Sequence, residues 1–455
     1  MTAKKNILIL GSGGREHALA WKFAQSDSLE NIFVAPGNPG MFLNSKIKAA
    51  NLDGVAVGTE NPVTIIEFCR VNRCTFVLVG PEGPLAAGVV DDLHAAGVAV
   101  FGPTKSAARL ESSKSFARRV IQKAGVASPK FLIAKTWQDL PPLIDAWPWL
   151  KGMVIKADGL ASGKGVFVCK TREEALRAVA SLRLLDAAAG GVLTQNGLIC
   201  EERLEGREVS AFALCDGSDF ISFGMACDHK RLRDGDRGPN TGGMGAFSPV
   251  HWLHRPKDQI SLLSVEAEIA ETVFRPVLKI MDEIGSPFRG FLFAGLMITK
   301  SGVKVLEFNV RLGDPETQVL LPRLDEDLFA VISAALDGRV LESFPDGLRW
   351  HAASALHVVK AAAGYPGIDG VRIRSGDPIV GESEQLIFYS GVAKSESVTS
   401  ASAISESGHG LETAGGRVLG VTAMAGDLVA ARGLVYSGIS QVDFAGAQWR
   451  TDIGE

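Results

Sequence analysis

Cysteine is scarce in this 455-residue sequence, and its spacing argues against two kinds of structure. The six cysteines stand at positions 69, 74, 169, 200, 215 and 227, and no two of them form a CxxC pair. Neither a disulfide-bonded scaffold nor a zinc-finger site is therefore expected. Free thiols are typical of a reducing compartment, so we expect a cytoplasmic protein.

Long hydrophobic runs and a strong charge of one sign are also lacking. The longest apolar run, residues 291–298, is too short to cross a bilayer, and the apolar residues 7–10 are too few for a signal peptide. The formal net charge is only -4 at pH 7, which argues against a broad basic surface for nucleic acid or anionic membranes. We therefore expect small-molecule substrates, with any anion bound at a local site.

The composition and length of the chain are typical of a globular protein with several domains. Hydrophobic residues make up 46% and charged residues 22% of the chain. At about 150 residues per domain, the length suggests about three domains. Residues 1–103 alternate predicted strands with predicted helices, which indicates a parallel α/β domain. The strands are expected at residues 6–10, 31–35, 76–80 and 98–102.

The other two regions have different patterns. Residues 104–337 begin with a predicted helix at about 112–124, and the strands that follow indicate antiparallel hairpins rather than βαβ units. These strands are expected at residues 153–156, 165–169, 198–202, 208–214, 291–299 and 304–309. Residues 338–455 have predicted strands at 355–360 and 417–423 and a helix near 427–437, which indicates a compact mixed α+β domain.

The first chemical signal is GSGGREH at residues 11–17, between a predicted strand and a predicted helix. Backbone N–H groups and the helix dipole at such a turn can hold a phosphate, although a structural tight turn is equally open. A dinucleotide-binding loop would need glycine where Glu16 stands. The loops at residues 36–40 and 80–84 follow other strands of the same sheet, so three loops should converge at its carboxyl edge, the usual ligand position.

The second signal is VIKADGLASGKGV at residues 154–166, a loop of small residues between two predicted strands. It is not a Walker loop, because three rather than four residues separate Gly159 from Gly163 and a strand follows instead of a helix. Glycines let the backbone approach phosphates, and a lysine ~4 Å from a phosphate gains about 4 kcal/mol at an effective dielectric near 20. The loop thus indicates a triphosphate site, with a flexible hairpin carrying solvated lysines as the alternative.

Two further segments supply acidic side chains. In residues 200–209, CEERLEGREV, acids at the end of one strand and the start of the next could hold adenine and ribose donors or form a solvated hairpin end. In residues 305–310, VLEFNV, Glu307 and Asn309 lie two apart on a predicted strand, so both side chains project from one face. Oxygen ligands suit Mg²⁺, which leaves its other positions to phosphates and water; a solvent-facing strand is the alternative.

Six segments in a fixed order carry a specific resemblance: GGREHALAWK, VAPGNPG, VGPEGPLAAG, VIKADGLASGKGV, DHKR with GPNTGGMGAFSP, and EFNVRLGDPETQ. With GGRVLGVTA and residues 449–454 near the end, the sequence resembles the phosphoribosylamine-glycine ligase family over nearly its whole length. The resemblance implies an α/β and α+β multidomain protein with an ATP-grasp fold. Its N-terminal domain would be Rossmann-like, as in biotin carboxylase, and a flap subdomain of about residues 127–200 would help to clamp ATP.

The resemblance also implies roles for individual residues, position by position. ATP would be bound by Lys114, Lys156, Gly159, Gly163, Lys164, Glu201, Leu204 and Glu208. The substrates would be bound by Gly13, Gly14, Arg15, Asn38, Pro39, Glu82, Asp228, Lys230 and Arg311, and the catalytic residues would be Lys156, Arg311 and Asp314. Mg²⁺ or Mn²⁺ would be held by Glu307 and Asn309. The neighbouring strand at 293–297 offers no acid, so one firm metal position is expected.

The implied activity is the ATP-dependent joining of glycine to 5-phosphoribosylamine through glycyl phosphate, a step of de novo purine biosynthesis. It would give glycinamide ribonucleotide, ADP and phosphate, and it needs positioning and cationic stabilisation rather than a covalent enzyme nucleophile. Two alternatives are another ATP-grasp carboxylate-amine ligase and a non-catalytic ATP-sensing module. The expected assembly is a monomer or weak dimer, with a transient contact to the enzyme that supplies phosphoribosylamine.

Overall fold

The computed structural model describes residues 4–50, 52, 61–160, 165–253, 262–368, 370–395 and 410–455. Within these ranges, no helix combines the length and the hydropathy that crossing a membrane requires.

The N-terminal region is a parallel five-stranded sheet flanked by helices, in the order β3-β2-β1-β4-β5. Its strands are β1 (Lys5–Gly11), β2 (Leu29–Pro36), β3 (Ile47–Ala49), β4 (Cys74–Val79) and β5 (Val100–Phe101). Its helices are α1 (Gly14–Phe23), α2 (Pro62–Val71), α3 (Glu82–Ala87) and α4 (Val89–Ala95). The four predicted strands are confirmed as β1, β2, β4 and β5, and their near-continuous apolar runs reflect a sheet covered on both faces. The three-residue β3 was not predicted.

The following region contains a small antiparallel sheet with a separate hydrophobic core, in the order β6-β9-β7-β8. Helices α5 (Lys105–Ser112) and α6 (Lys114–Lys123) lead into it. Its own elements are β6 (Phe131–Ala134), α7 (Leu140–Ala146), β7 (Met153–Ala157), β8 (Val166–Cys169), α8 (Arg172–Ala188) and β9 (Leu198–Glu202). We call the elements from β6 to β9 the flap unit. Ile155, Leu182 and Leu198 belong to its own hydrophobic core and not to the larger cores, so the flap unit packs as a separate body.

An eight-stranded sheet forms the rest of the structure, in the order β16-β15-β10-β11-β14-β17-β21-β18. Its strands are β10 (Arg207–Asp216), β11 (Phe220–Asp228), β14 (Gly245–Ser248), β15 (Arg289–Thr299), β16 (Gly302–Asn309), β17 (Ser354–Ala361), β18 (Leu386–Tyr389) and β21 (Arg417–Ala425). Two small hairpins accompany it, β12 (Arg231–Arg233) with β13 (Arg237–Asn240), and β19 (Val392–Lys394) with β20 (Leu411–Thr413). The helices are α9 (Leu262–Ile269), α10 (Arg275–Glu283), α11 (Thr317–Arg323), α12 (Leu328–Leu336), α13 (Val340–Ser343) and α14 (Leu428–Ser440).

The topology of this large sheet shows how the predicted regions are joined. Pairing of β14 with β17 makes one sheet from strands of the second and third regions. Strands β9 and β10 are both confirmed, but they lie in different sheets. Residues 203–206 therefore connect the flap unit to the large sheet instead of closing a hairpin. The domain boundaries near residues 103 and 337 stay predictions.

The N-terminal sheet is fixed to the large sheet by both apolar and polar contacts. Phe76 of β4 stacks on Phe329 of α12 with ring centroids 5.6 Å apart. Lys22 Nζ donates to the Leu324 carbonyl at 2.5 Å, just after α11, and so caps that helix end. These contacts hold the N-terminal unit against helices α11 and α12 beside the large sheet.

His17 of α1 is buried against β18 of the large sheet, and this burial predicts a pH-dependent stability. Burial lowers the pKa of His17 from 6.5 to about 4, against the smaller raising effect of its hydrogen bond with the Tyr389 backbone. Between pH 6.5 and about pH 4 the unfolded chain takes up a proton that the folded protein does not, so the free energy of unfolding falls as the pH falls, by up to about 3 kcal/mol. Urea unfolding across this range should show a shallower slope for His17→Gln than for the wild type.

The matched control is His94→Gln, because His94 is exposed near the end of α4. This substitution should leave the slope of stability against pH unchanged. Equal slopes for the His17→Gln and wild-type proteins would contradict the assignment of the acid sensitivity to His17.

Candidate functional site

The first part of the site is the carboxyl edge of the N-terminal sheet, where the loops after β1, β2 and β4 meet. Glu16 lies between the first and third loops: it accepts a hydrogen bond from Gly13 N at 2.7 Å and pairs with Arg15 Nε at 2.6 Å. A Cβ at Gly80 would collide with the Glu16 carboxylate, so that loop needs glycine to pass so close. Because Glu16 already occupies the Gly13 N–H, the loop differs from a dinucleotide-binding turn.

The second loop is tied to the first and to the large sheet by Asn38. Its side-chain amide donates to the Ser12 carbonyl at 2.8 Å and to the Tyr389 carbonyl at 3.1 Å. Pro39 follows at the rim, and its carbonyl accepts from Phe42 N at 3.3 Å. The predicted substrate residues of these loops are thus brought together along one wall of the site, at the carboxyl edge of the sheet.

Asp314 reaches this wall from the large sheet. Its carboxylate pairs with Arg417 at 2.8 Å, and a Cβ on Gly13 or Gly14 would come within 3.6 Å of its oxygens. Burial raises the pKa of Asp314, but the positive charges of Arg417 and Arg15 outweigh this effect and lower it. An ionised carboxylate therefore faces the N-terminal glycine loop. Arg417 was not predicted as a site residue, although it lies in the GGRVLGVTA segment.

Arg311 links the third loop to the large sheet. Its guanidinium pairs with Glu82 at 3.2 Å and with Glu111 at 2.9 Å, and Arg311 also lies 3.5 Å from Asn309 Oδ1. Burial raises the pKa of Glu82, but Arg311 and Arg15 bring it down to about 2. The more deeply buried Glu111 has its pKa raised to about 7, with burial as the main cause. Glu111 was not predicted, because nothing distinguishes it from an ordinary acid of α5.

A buried ionic cluster joins the flap unit to the large sheet. Glu201 of β9 pairs with Lys156 of β7 at 2.9 Å and with Arg118 of α6 at 2.5 Å. Lys156 also donates to the Leu306 carbonyl at 3.0 Å, and Arg118 donates to the carbonyls of Val305 and Leu306 at 3.0 and 2.7 Å. Each oxygen of Glu201 thus has a cationic partner, and Lys156 is held beside β16. Arg118 was not predicted, because its helix resembles a basic surface helix.

The start of the glycine-rich loop is attached to α6. Lys114 Nζ donates to the Gly159 carbonyl at 2.9 Å, and the Asp158 carboxylate accepts from Ser115 N at 3.2 Å. Lys114 therefore lies at the base of this loop, next to the cluster around Lys156. The predicted residues Gly163 and Lys164 lie outside the described residues.

Glu307 is a charged residue to which no described residue is directly paired. It pairs in register with Gly295 of β15, and Asn309 with Phe293, so both predicted metal ligands lie on β16 two residues apart. Burial raises the pKa of the Glu307 carboxyl, but four positive charges lower it overall. These belong to Lys230, Lys156, Lys114 and Arg311. Among the described residues, none forms a hydrogen bond or ion pair with this carboxylate.

The opposite side of the cluster is formed by β10, β11 and the loop after them. Lys230 Nζ pairs with Glu208 at 3.0 Å, and this negative charge is the main cause of a raised pKa of Lys230. Burial, followed by the charge of Glu316, raises the pKa of Asp228 well above its usual range. In the described part of the chain, Asp228 Oδ1 has no hydrogen-bond partner. Leu204 lies half-buried in the connection between the two sheets.

The donor set of this site suits a hard divalent cation. Glu307 and Asn309 present oxygens on one strand face, and Mg²⁺ is commonly held by one or two carboxylates while phosphates and water complete its shell. Within the described ranges, no group of three or more His, Cys, Asp or Glu side chains could hold a metal ion. The residues present fit a metal that is bound together with a phosphorylated substrate.

Comparison with known proteins places the chain in a family. Models of phosphoribosylglycinamide synthetase match in order, the N domain at residues 5–111, the ATP-grasp (A) domain at 112–317 and the C domain at 355–455. The phosphoribosylamine-glycine ligase of Mesorhizobium japonicum is 41% identical over 453 residues, which cover 99% of this chain and 97% of that protein. The chain belongs to the phosphoribosylamine-glycine ligase family.

Solved structures agree with the fold of this ligase family. The phosphoribosylamine-glycine ligase of Thermotoga maritima is 32% identical, with a TM-score of 0.74, and the match covers 98% of this chain and 100% of that chain. The biotin carboxylase domain of 2-oxoglutarate carboxylase from Hydrogenobacter thermophilus, solved with MgADP and bicarbonate, is 15% identical with a TM-score of 0.68. That match covers 98% of this chain and 92% of the other. The predicted ATP-grasp fold with biotin-carboxylase-like relatives is confirmed.

Proposed function

We propose that this protein joins glycine to 5-phosphoribosylamine at the expense of ATP, giving glycinamide ribonucleotide, ADP and phosphate in de novo purine biosynthesis. One observation carries the proposal: the carboxylate of Glu307, with which no described residue pairs, lies among four basic residues where the flap unit meets the large sheet. Such a site suits a metal-bound triphosphate. Membership of the ligase family supports glycine and phosphoribosylamine as the substrates.

We assign Glu307 and Asn309 to one divalent metal, Mg²⁺ or Mn²⁺. When bound, this metal would neutralise phosphate charge during phosphoryl transfer. The proposed ATP site around it consists of Lys114, Lys156, Gly159, Gly163, Lys164, Glu201, Leu204 and Glu208. Lys156 and Lys114 would contact the phosphates, and Glu201 would hold Lys156 in place through the ion pair at 2.9 Å.

In the first step, a carboxylate oxygen of glycine attacks the γ-phosphorus of ATP. The bond from that phosphorus to the β–γ bridging oxygen breaks, and ADP leaves with its electron pair. Lys156 and Arg311 would stabilise the negative charge on the transferring oxygens. Because the carboxylates of Glu82 and Glu111 both pair with Arg311, its guanidinium is held in a fixed orientation beside Asn309.

In the second step, the amine nitrogen of phosphoribosylamine attacks the carbonyl carbon of glycyl phosphate. The carbon–oxygen bond to phosphate breaks, an amide forms, and the nitrogen loses a proton to the departing phosphate. The loops with Gly13, Gly14, Arg15, Asn38, Pro39 and Glu82 would hold the ribose phosphate. Asp314 would orient the amine, while Asp228 and Lys230 would face glycine. The glycine-rich loop would exclude water, which otherwise hydrolyses the acyl phosphate.

We also propose a monomer or weak dimer that works in the cytoplasm and receives the unstable amine through a transient contact with the enzyme that makes it. The absence of disulfides supports this location, since all six cysteines are free. Sedimentation of the purified protein at micromolar concentration would separate the monomer from the dimer.

The decisive experiment measures ADP release with glycine alone, with phosphoribosylamine alone and with both. We expect turnover only with both substrates, since the second step must clear glycyl phosphate from the site. Efficient turnover with glycine and a different amine would favour another ATP-grasp ligase. ATP binding without turnover under every condition would favour the sensing module and contradict the proposal.

A further inference from the structure

The hairpin of β12 and β13 connects residues that face the proposed reaction centre. Lys230 lies immediately before β12, and Thr241 immediately after β13 donates to the Lys230 carbonyl from both its backbone N, at 2.8 Å, and its hydroxyl, at 2.9 Å. Asp228 lies at the end of β11, two residues earlier. The position of the hairpin therefore sets the position of Lys230.

The turn of this hairpin, residues 234–236, is held by a segment that is distant in sequence, residues 450–452. Arg450 is only 1% exposed, and its guanidinium forms two parallel bonds to Asp452, at 2.7 and 2.6 Å. The same guanidinium donates to Asp236 Oδ1 at 2.7 Å. Bidentate pairing fixes the plane of the guanidinium, so its third bond to Asp236 has a fixed direction.

The other two turn residues are bound by the same segment. Asp452 Oδ2 accepts from Gly235 N at 2.8 Å, and Thr451 N donates to Asp234 Oδ1, also at 2.8 Å. Every residue of the turn thus contacts residues 450–452. Asp236 also approaches the ring of His229, with Oδ1 3.9 Å from Nδ1. Since His229 stands between Asp228 and Lys230, the turn approaches the short segment between β11 and β12 that carries Lys230.

We propose that Arg450 and Asp236 are positioning residues for ligation, which act by fixing the hairpin and, through it, Lys230 and Asp228. This inference rests on the proposed function. In the part of the chain that the structure describes, the guanidinium of Arg450 bonds to Asp452, Asp236 and the Arg231 carbonyl, so its effect on the proposed reaction centre passes through the hairpin. A misplacement of about 1 Å can lower an enzymatic rate by about a hundredfold, so a partly loosened hairpin is expected to reduce turnover strongly.

The test is Asp236→Asn, which removes the charge and keeps the shape. Asp236 has a positive φ of 50°, a conformation that asparagine also tolerates, and its side chain is 69% exposed. We expect an unchanged unfolding temperature, a fall in kcat of about tenfold, and a KM for ATP within about twofold of the wild type. The KM for ATP should hold because Lys114, Lys156 and Glu307 lie outside the hairpin. Arg450→Lys, which loses the two-pronged pairing, should lower kcat further.

Asp337→Asn is the matched control, because Asp337 also forms an exposed ion pair with an arginine, Arg339, at 2.6 Å and with 57% side-chain exposure. Its kcat should equal that of the wild type. The inference is overturned if Asp236→Asn matches this control, or if any loss of kcat disappears when the rate is divided by the fraction of folded protein. A wild-type protein without two-substrate turnover would instead contradict the proposed function.

Discussion

Glu307→Gln is expected to lower kcat by about a thousandfold or more while the fold is retained. The substitution removes the negative charge of the proposed metal ligand, and a metal contributes several kcal/mol of charge stabilisation in phosphoryl transfer. The protein should still fold, because no described residue loses a hydrogen bond or ion pair, although the charge attraction to the four nearby basic residues is lost. The measurements are kcat at saturating substrates as a function of Mg²⁺ concentration, and thermal unfolding of the same samples.

Glu283→Gln provides the control for this prediction. Glu283 pairs with Lys123 at 3.1 Å on the surface, so loss of its charge should change neither kcat nor the dependence on Mg²⁺. If Glu307→Gln retained wild-type turnover at ordinary Mg²⁺ concentrations, the assignment of Glu307 as a metal ligand would be wrong.

Arg118→Met is expected to destabilise the protein by about 3–5 kcal/mol, the range for breaking a buried ion pair by removing one partner. Arg118 is 3% exposed and binds both Glu201 and two carbonyls of β16. Methionine fills much of the same volume but leaves one Glu201 oxygen and the Val305 carbonyl without the Arg118 donor, while the Leu306 carbonyl keeps its bond from Lys156. Because Glu201 also holds Lys156, turnover of the protein that remains folded should fall as well.

Arg349→Met is the comparison for Arg118→Met. Arg349 pairs with Glu326 at 2.9 Å, but its side chain is 73% exposed, so its loss should cost at most about 1 kcal/mol. Urea unfolding followed by circular dichroism would measure both variants. Similar small losses for the two substitutions would show that the cluster around Glu201 is not an important link between the flap unit and the large sheet.

The strands that carry the proposed site could be predicted because their side chains follow local patterns. The apolar run of β1 and the alternation in β16 identify those strands without any knowledge of their neighbours. Strand β11 was not predicted, although it lies in the middle of the large sheet. The apolar residues of β11 are interrupted by Gly224, whose φ of 85° breaks the regular strand geometry. The segment therefore lacks a clear alternation of apolar and polar residues.

The partners of the buried charges could not be predicted in the same way. Arg118 and Glu201 are 83 residues apart, and Arg311 and Glu111 are 200 residues apart. The sequence around Arg118, in a basic helix, and around Glu111, in a short helix, does not distinguish these buried side chains from solvent-exposed ones. The ion pairs exist only because α5, α6, β9 and β16 pack together.

The sequence by itself determined strands with a clear pattern, such as β1 and β16, the glycine-rich loops, and that Glu307 and Asn309 share one strand face, because these properties depend on neighbouring residues only. The tertiary structure alone decided which charges meet: Arg118 with Glu201, Arg417 with Asp314, and Arg450 with Asp236. The physical reason is that a buried charge requires a partner, and the chain brings that partner from a distant element.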